Sequence, residues 1–468
     1  MNKFQNLRFT GIEKSGKYII LASVSLAIAT LTAIRFAVAD SGFQVLKRGD
    51  RGSGVISLQK LLQKTGYLQS PPTGYYGLLT REAIAQFQSD AGLNADGIAD
   101  INTQSELKKS LKANQNPEKS PSKTANEKAI IAAQNIRPGQ FKIIKKIEGD
   151  LTPKSVVYSD SGLFFVQNMM YEHSIAVYDR QFKPVKTIKD GVNLAKLGYP
   201  DFQAEKYKGA PVEAAMSPDG KSAYISNYQM FGPEFKNPGY DTCLPSNQFD
   251  RSFLYRVDTE SLTVADAIRV GSVPKFLAVS PDGKRVVVSN WCSGDISIID
   301  TETQQEIQRI FVGRFPRGIA IAPDSETAYI AVMGTSDIAK INLRDYSLSW
   351  IYDVGLYPRH LVLDSAGKYL YVTLNGDDHV AKIDAETGAI IRKIFTGAAP
   401  RSMVLSDDDR FLYVVNYYSH TVSKVRAEDM EIVDTVEVDL NPIGITYDPK
   451  TRQVWVACYT GSLVVIQD

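Results

Sequence analysis

Pro274-Lys-Phe-Leu-Ala-Val-Ser-Pro-Asp-Gly-Lys-Arg-Val-Val-Val-Ser-Asn-Trp-Cys-Ser-Gly-Asp-Ile-Ser-Ile-Ile-Asp300 is the stretch that decides the fold. It opens on a short apolar run, Phe276-Leu-Ala-Val279, which suits a buried strand. Ser280-Pro-Asp-Gly283 then turns the chain, because Pro presets φ and Gly allows φ above zero. Residues 285–290 and 296–300 read as second and third strands on either side of the loop Trp291-Cys-Ser-Gly-Asp295. A fourth, at 306–312, is rich in β-branched residues and partly polar, as an outer edge strand should be.

The unit recurs seven times, opened by Pro153, Pro211, Pro274, Pro316, Pro358, Pro400 and Pro442, and from Pro274 onward the step is 42 residues each time. A strand-bearing repeat of that length predicts an all-β propeller with one four-stranded blade per copy. The last copy ends at Asp468 after three strands. Its fourth is expected in Phe141-Lys-Ile-Ile-Lys-Lys-Ile147, so that the first strand of the ring completes the last blade and no sheet edge is left free.

Second strands read Phe165-Val-Gln-Asn168, Tyr224-Ile-Ser-Asn227, Val287-Val-Ser-Asn290 and Tyr413-Val-Val-Asn416. These residues resemble the YVTN family of propeller repeats over roughly 150–468. Three copies depart from the tetrapeptide, with Tyr329-Ile-Ala-Val332, Tyr371-Val-Thr-Leu374 and Trp455-Val-Ala-Cys458. The resemblance implies a seven-bladed propeller of the kind found on surface-layer and periplasmic proteins. It leaves activity open, since propellers host many unrelated functions.

The N-terminal third is organised differently. Lys3, Arg8, Lys14 and Lys17 precede an apolar run at 18–34, and Ala37-Val-Ala39 follows. This pattern predicts a signal peptide over 1–39, with an uncleaved membrane anchor as the alternative; both imply export to a periplasmic or extracellular place. Residues 45–112 resemble the small three-helix peptidoglycan-binding domain. The resemblance rests on Leu46-Lys-Arg-Gly49, then Val55, Leu58, Gln59 and Leu62, then Gly66-Tyr67, Gly74-Tyr-Tyr-Gly77, Ala83, Ile84, Phe87, Gln88 and Asp96-Gly97. Thr73 stands where that family usually has Asp. Thr80 and Thr103 are candidate caps of the second and third helices. Residues 113–140, rich in Asn, Lys, Ser and Pro, read as a flexible tether leading into a propeller over 141–468.

Composition narrows the partners. Fifty-three Lys and Arg nearly balance 52 Asp and Glu, which gives no reason to expect nucleic acid as a partner. No C-x-x-C-H, Cys/His zinc spacing, phosphate loop or G-x-S-x-G is present, so no cofactor, no metal and no catalytic residue is assigned.

Candidate binding residues cluster on one face of the predicted ring. The residue after each blade proline is Lys154, Val212, Lys275, Arg317, Arg359, Arg401 and Ile443, basic in five of seven blades. If the register holds, Lys154, Lys275, Arg317, Arg359 and Arg401 crowd the channel mouth and call for an anion or acidic side chains. Two insertions, near 191–209 and 228–251, add aromatics to that face, among them Tyr199, Phe202, Tyr207, Tyr228, Phe231, Phe235, Tyr240 and Phe249. With the neighbouring Trp291, the aromatics Tyr228, Phe231 and Tyr240 form a candidate loop face for sugars or peptides. Cys243 and Cys292 fall in equivalent loops of adjacent blades and can form a disulfide in an oxidising compartment, leaving Cys458 as a free thiol. His173, His360, His379 and His420 map to the same face, but spread around the ring.

The expected function is an exported, cell-wall-associated binding protein. Its helical domain would hold peptidoglycan, and its propeller would offer a basic-mouthed, loop-rich face to an anionic small molecule, glycan or protein. A membrane is a partner only if the N-terminal segment is uncleaved. The alternative is a hydrolase or lyase of the lactonase type with a metal at the channel mouth, using groups such as Glu213 and His360.

Overall fold

The computed structural model describes residues 44–113 and 141–468, apart from 49, 51, 69–71, 73, 75, 77, 171, 172 and 247. The segment 1–39, read as signal or anchor, and the tether beyond residue 113 lie outside the described residues. Among the described residues no helix is long and apolar enough to cross a membrane. The chain divides into two compact units.

The smaller unit is a three-helix module. Helix α1 (Ser53–Lys64) buries Val55, Leu58, Gln59 and Leu62, a 3,4-spaced stripe that gives it one apolar face. It stops where Gly66 adopts φ 84° and the Tyr67 N–H donates back to the Leu62 carbonyl. Helix α2 (Leu78–Asp90) buries Ala83, Ile84 and Phe87, and helix α3 (Ile101–Ala113) buries Leu107. Two buried glutamines tie the connections down. Gln59 donates to Thr80 Oγ1 and accepts from the Gly74 N–H, both at 2.9 Å. Gln88 accepts from the Gly97 N–H at 2.8 Å and donates towards Asp96, Ile98 and Thr103. Thr80 is therefore an interior helix residue and not a cap. Thr103 is likewise displaced from that role, because Asp100 caps α3 by accepting from the Thr103 N–H at 2.7 Å.

The larger unit is seven four-stranded antiparallel sheets. Six run inner to outer in chain order, as in Pro274–Val279, Arg285–Asn290, Asp295–Asp300 and Gln305–Phe311. The seventh is composite. Lys142–Glu148 pairs antiparallel with Ser462–Gln467, outside Gln453–Cys458 and Pro442–Asp448. The first described strand of the propeller thus covers the edge of the last, as the missing fourth strand required. Cores lie between neighbouring blades. Trp455 of blade seven stacks on Phe164 of blade one, ring centroids 3.8 Å apart.

The inner strands share one irregularity that positions the site. In every blade the ladder slips immediately after the proline, for example between Pro274 and Phe276 and between Pro358 and His360. The residue after the proline is the extra residue of a β-bulge, and a bulge re-aims its side chain out of the alternating pleat. In blades three to seven the residue before the proline, Val273, Phe315, Tyr357, Ala399 or Asn441, also takes φ between 52° and 62°. That conformation is costly for a non-glycine residue, most of all for β-branched Val273. Strain is thus stored at the mouth of the ring in five successive blades.

Candidate functional site at the channel mouth

The bulges bring Lys154, Lys275, Arg317, Arg359 and Arg401 into one cavity of ≈350 Å³ at the mouth of the central channel. Lys154, Lys275, Arg317 and Arg359 are each more than nine-tenths buried, and Arg401 is half-buried. Val212 and Ile443 occupy the remaining two ring positions, so the cations belong to blades one, three, four, five and six.

Around this basic ring runs a second one, made by the residue 16 or 17 positions after each blade proline: Met169, Tyr228, Trp291, Met333, Asn375, Tyr417 and Tyr459, of which Tyr228 is still inside its second strand, Ser222–Phe231. The two rings interlock. Lys275 lies over the rings of Tyr228 and Trp291, at 4.5 and 4.9 Å from their centroids. Arg401 lies over Tyr417 at 3.5 Å, and Arg359 Nη1 approaches Met333 Sδ at 3.9 Å. Cation–π contact of this kind holds a guanidinium flat and oriented. Trp291 itself stacks on Phe315 and donates its indole N–H to the Asp241 carbonyl at 2.9 Å.

Two carboxylates enter the cluster. Asp241 forms an ion pair with Lys275 and accepts from the Tyr228 hydroxyl at 3.1 Å. It is carried there by the blade-two insertion, which the Cys243–Cys292 disulfide fastens to blade three with a Cα separation of 5.6 Å. Glu213 lies half-buried one position further along its inner strand, within reach of Arg317, Ser155 and Lys154. That next register of the channel also holds Ser155, Phe276, Gly318, His360, Ser402 and Gly444. At Gly318 and Gly444 an added Cβ would lie 2.7 Å from the neighbouring inner strand, so glycine is what lets the strands converge.

Electrostatics follow from this crowding. Burial, with the charges of Arg317, Arg359, Arg401 and Lys275 added, pushes the Lys154 ammonium well below its ordinary range. Burial also brings Lys275 down to about 8, although Asp241 pulls the other way. The same cause lowers Arg317 to about 10 and depresses Arg359. A guanidinium nonetheless stays protonated in proteins, so for these two the shift measures electrostatic stress and not neutralisation. Glu213 is pushed up to about 7 by burial, against the pull of Arg317.

Other expected site residues are distributed differently. Tyr228 and Trp291 belong to the mouth, whereas Phe231 stacks on His173 and Tyr240 packs edge-on against Phe249 with half its surface exposed. Tyr199, Phe202, Tyr207 and Phe235 do not face solvent as a platform. They form a separate core above blade two with Phe253 and Tyr255, because an insertion of this length must bury apolar surface of its own to be ordered. His360 lies inside the channel, edge-on to Phe276, and burial lowers its imidazole to about 3. It is a neutral channel group and does not line the mouth. Among the described residues no group of three or more His, Cys, Asp and Glu could hold a metal ion.

Asp241, Tyr417, Tyr459 and Met169 line the mouth without having been singled out from the sequence. The 42-residue step from Trp291 through Met333 and Asn375 to Tyr417 and Tyr459 carried the signal for the second ring. Nothing in the repeat could locate Asp241, which sits in an insertion outside the repeat frame.

Comparison with known proteins matches two stretches of the chain to families. Residues 51–107 match the "Putative peptidoglycan binding domain" family, and residues 244–428 match the YNCE-like beta-propeller family. The chain thus joins a domain of the peptidoglycan-binding type to a seven-bladed propeller. Spore cortex-lytic enzymes of Bacillus cereus are 28% identical over 156 residues, which is 33% of this chain. The chain spans 57% of the length of those relatives. Hydrazine synthase of Kuenenia stuttgartiensis resembles the structure with a TM-score of 0.55 at 19% identity, covering 69% of this chain and 97% of that one. That likeness is one of fold.

Proposed function

We propose that this chain is an exported, cell-wall-associated binding protein whose helical domain engages peptidoglycan and whose propeller binds an anionic ligand at its mouth. The family match over residues 51–107 supports the wall-associated half of this reading. Partial similarity to enzymes named for lysis of the spore cortex agrees with it. The disulfide supports export, since such bonds persist in oxidising compartments.

The observation that carries the ligand half is the convergence of five basic side chains, four of them buried, on one cavity lined by a single carboxylate, that of Asp241. Two unit charges ~8 Å apart repel by about 2 kcal/mol at an effective dielectric of about 20, and five such charges make many pairs. A fold that tolerates this arrangement, and strains Val273, Phe315, Tyr357 and Ala399 beside four of its five cations, is poised to bind negative charge. Deleting residues 45–112 should release the protein from purified sacculi. Unchanged co-sedimentation of the deletion variant would overturn the anchoring role.

A further inference from the structure

We infer that the ligand of the mouth is a compact organic oxyanion with two or more negative charges, a polycarboxylate or a polyphosphate, held by Arg317, Arg359 and Arg401. This deepens the reading of the mouth as a binding site and rests on it.

Charge sets the valence. The guanidiniums of Arg317, Arg359 and Arg401 stay charged, while Asp241 is already engaged by Lys275 and burial pushes Glu213 towards its protonated form. Excess charge of one sign in a buried cluster is expensive, so a monoanion leaves most of it uncompensated.

Position sets the side of the mouth. Asp241 is engaged with Lys275 of blade three, and Glu213 of blade two lies towards Lys154 and Arg317. Both internal acids therefore lie nearest the cations of blades one to four, Asp241 reaching Arg359 of blade five only at longer range. On the opposite side Arg359, only 8% exposed, lines the cavity with its Nε buried and without a hydrogen-bond partner among the described residues. A buried guanidinium nitrogen left so is costly unless something accepts from it.

Chemistry sets the class. The mouth's own acids show what its cations hold, since Lys275 and the Tyr228 hydroxyl together grip a carboxylate. Three guanidinium forks favour bidentate oxyanions, carboxylate or phosphate, over spherical ions. The walls between the forks include Trp291, Tyr417, Tyr459 and Ile443, which suit a carbon body or flat face and not a bare ion. The cavity of ≈350 Å³ limits that body to a small molecule or one end of a larger one.

Calorimetric titration of the full chain with citrate, pyrophosphate and acetate at matched ionic strength tests the inference. Citrate or pyrophosphate should bind at least tenfold more tightly than acetate and lose affinity with added salt. The stronger of the two assigns the anion as carboxylate or phosphate. Arg359→Gln should weaken that binding at least tenfold. Arg401→Gln, at a half-buried position less critical for folding, should weaken it as well, and near-ultraviolet circular dichroism checks that both variants keep the native packing. Asp241→Asn should strengthen binding by removing an internal competitor. Equal affinity for all three anions, or native-like Arg359→Gln and Arg401→Gln variants that bind as wild type does, would overturn the inference. A chain that still co-sediments with sacculi yet binds neither citrate nor pyrophosphate overturns the ligand class alone. Lost co-sedimentation with intact anion binding counts only against the wall-associated reading.

Discussion

Arg180 of blade one forks onto Asp448 of blade seven, with Nε 2.7 Å from Oδ2 and Nη2 3.2 Å from Oδ1. The Asp448 side chain is wholly buried and also accepts from the Lys450 N–H and the Thr451 hydroxyl. This pair stitches the two ends of the repeat array beside the Phe164–Trp455 stack. Asp448→Ala should therefore cost about 3–5 kcal/mol, because it leaves the Arg180 charge at a closed seam without its partner. Burial alone would raise the Asp448 carboxyl, but Arg180, Thr451 and the Lys450 N–H outweigh it and hold the group below its usual 3.8. Its contribution is thus present above pH 3.8 and lost as the pH falls through the lower folded value. Urea unfolding at pH 7 and at pH 3 should show the gap between wild type and Asp448→Ala shrinking in acid.

Removal of residues 141–148 should do more damage than loss of eight largely exposed residues suggests. Lys142–Glu148 covers Ser462–Gln467, which buries Leu463 and Val465 on one face and Val464 and Ile466 on the other. Without it, blade seven presents an unpaired apolar edge, the configuration that recruits other chains. The truncated protein is expected to elute as oligomers or aggregate in size-exclusion chromatography. A monomer with the wild-type melting temperature would show that the exchange strand is dispensable.

The ring was legible because a repeat states its own period, and the closing strand because one copy lacked a fourth strand while an unassigned β-branched run preceded the first. Lys154, Lys275, Arg317, Arg359 and Arg401 were legible as neighbours for the same reason. The bulge that turns them inward was not, since it depends on the ladder slipping by one residue after each proline. Nor was the part played by the insertions. Aromatic content alone cannot separate a ligand platform from a private core, and Phe202, Tyr207 and Phe235 went to the core. Thr80 misled because threonine fits a helix cap, whereas here it accepts a hydrogen bond from Gln59 inside the helix.

The Cys243–Cys292 bond closes a loop with a sequence separation of 49. In the chain-entropy model a loop of that length gives up to about 4 kcal/mol. Mass spectrometry without reductant should find the two cysteines linked, and Cys243→Ser with Cys292→Ser should lower stability by no more than that amount. The double variant should also loosen Asp241 from Lys275, so reduction is expected to change anion affinity as well as stability. Complete alkylation of both cysteines in the native, unreduced protein would end this prediction.

The mouth should write its charge imbalance into the pH dependence of stability. Glu213 titrates near 7 when folded, against 4.5 as an ordinary Glu, so between those values the folded chain holds a proton that the unfolded chain has released. Its contribution is complete below pH 4.5 and gone above about 7, and stability falls across that window. Lys275 behaves in the opposite sense. Its folded value of about 8 lies below the ordinary 10.5, so the unfolded chain binds the extra proton and stability rises from pH 8 towards 10.5. Wild type should therefore show a minimum between the two windows. Glu213→Gln should weaken the descending arm, which the lowered His360 opposes, and Lys275→Met should weaken the ascending one, to which the lowered Lys154 also contributes. A multivalent anion at the mouth would favour the protonated ammonium, shift Lys275 upward and flatten the ascending arm, most visibly at low salt. Melting temperatures from pH 4 to 10.5, with and without citrate, provide the check. A profile without arms in wild type would mean that the five cations are compensated inside the folded chain, and that the mouth has no need of an anion from outside.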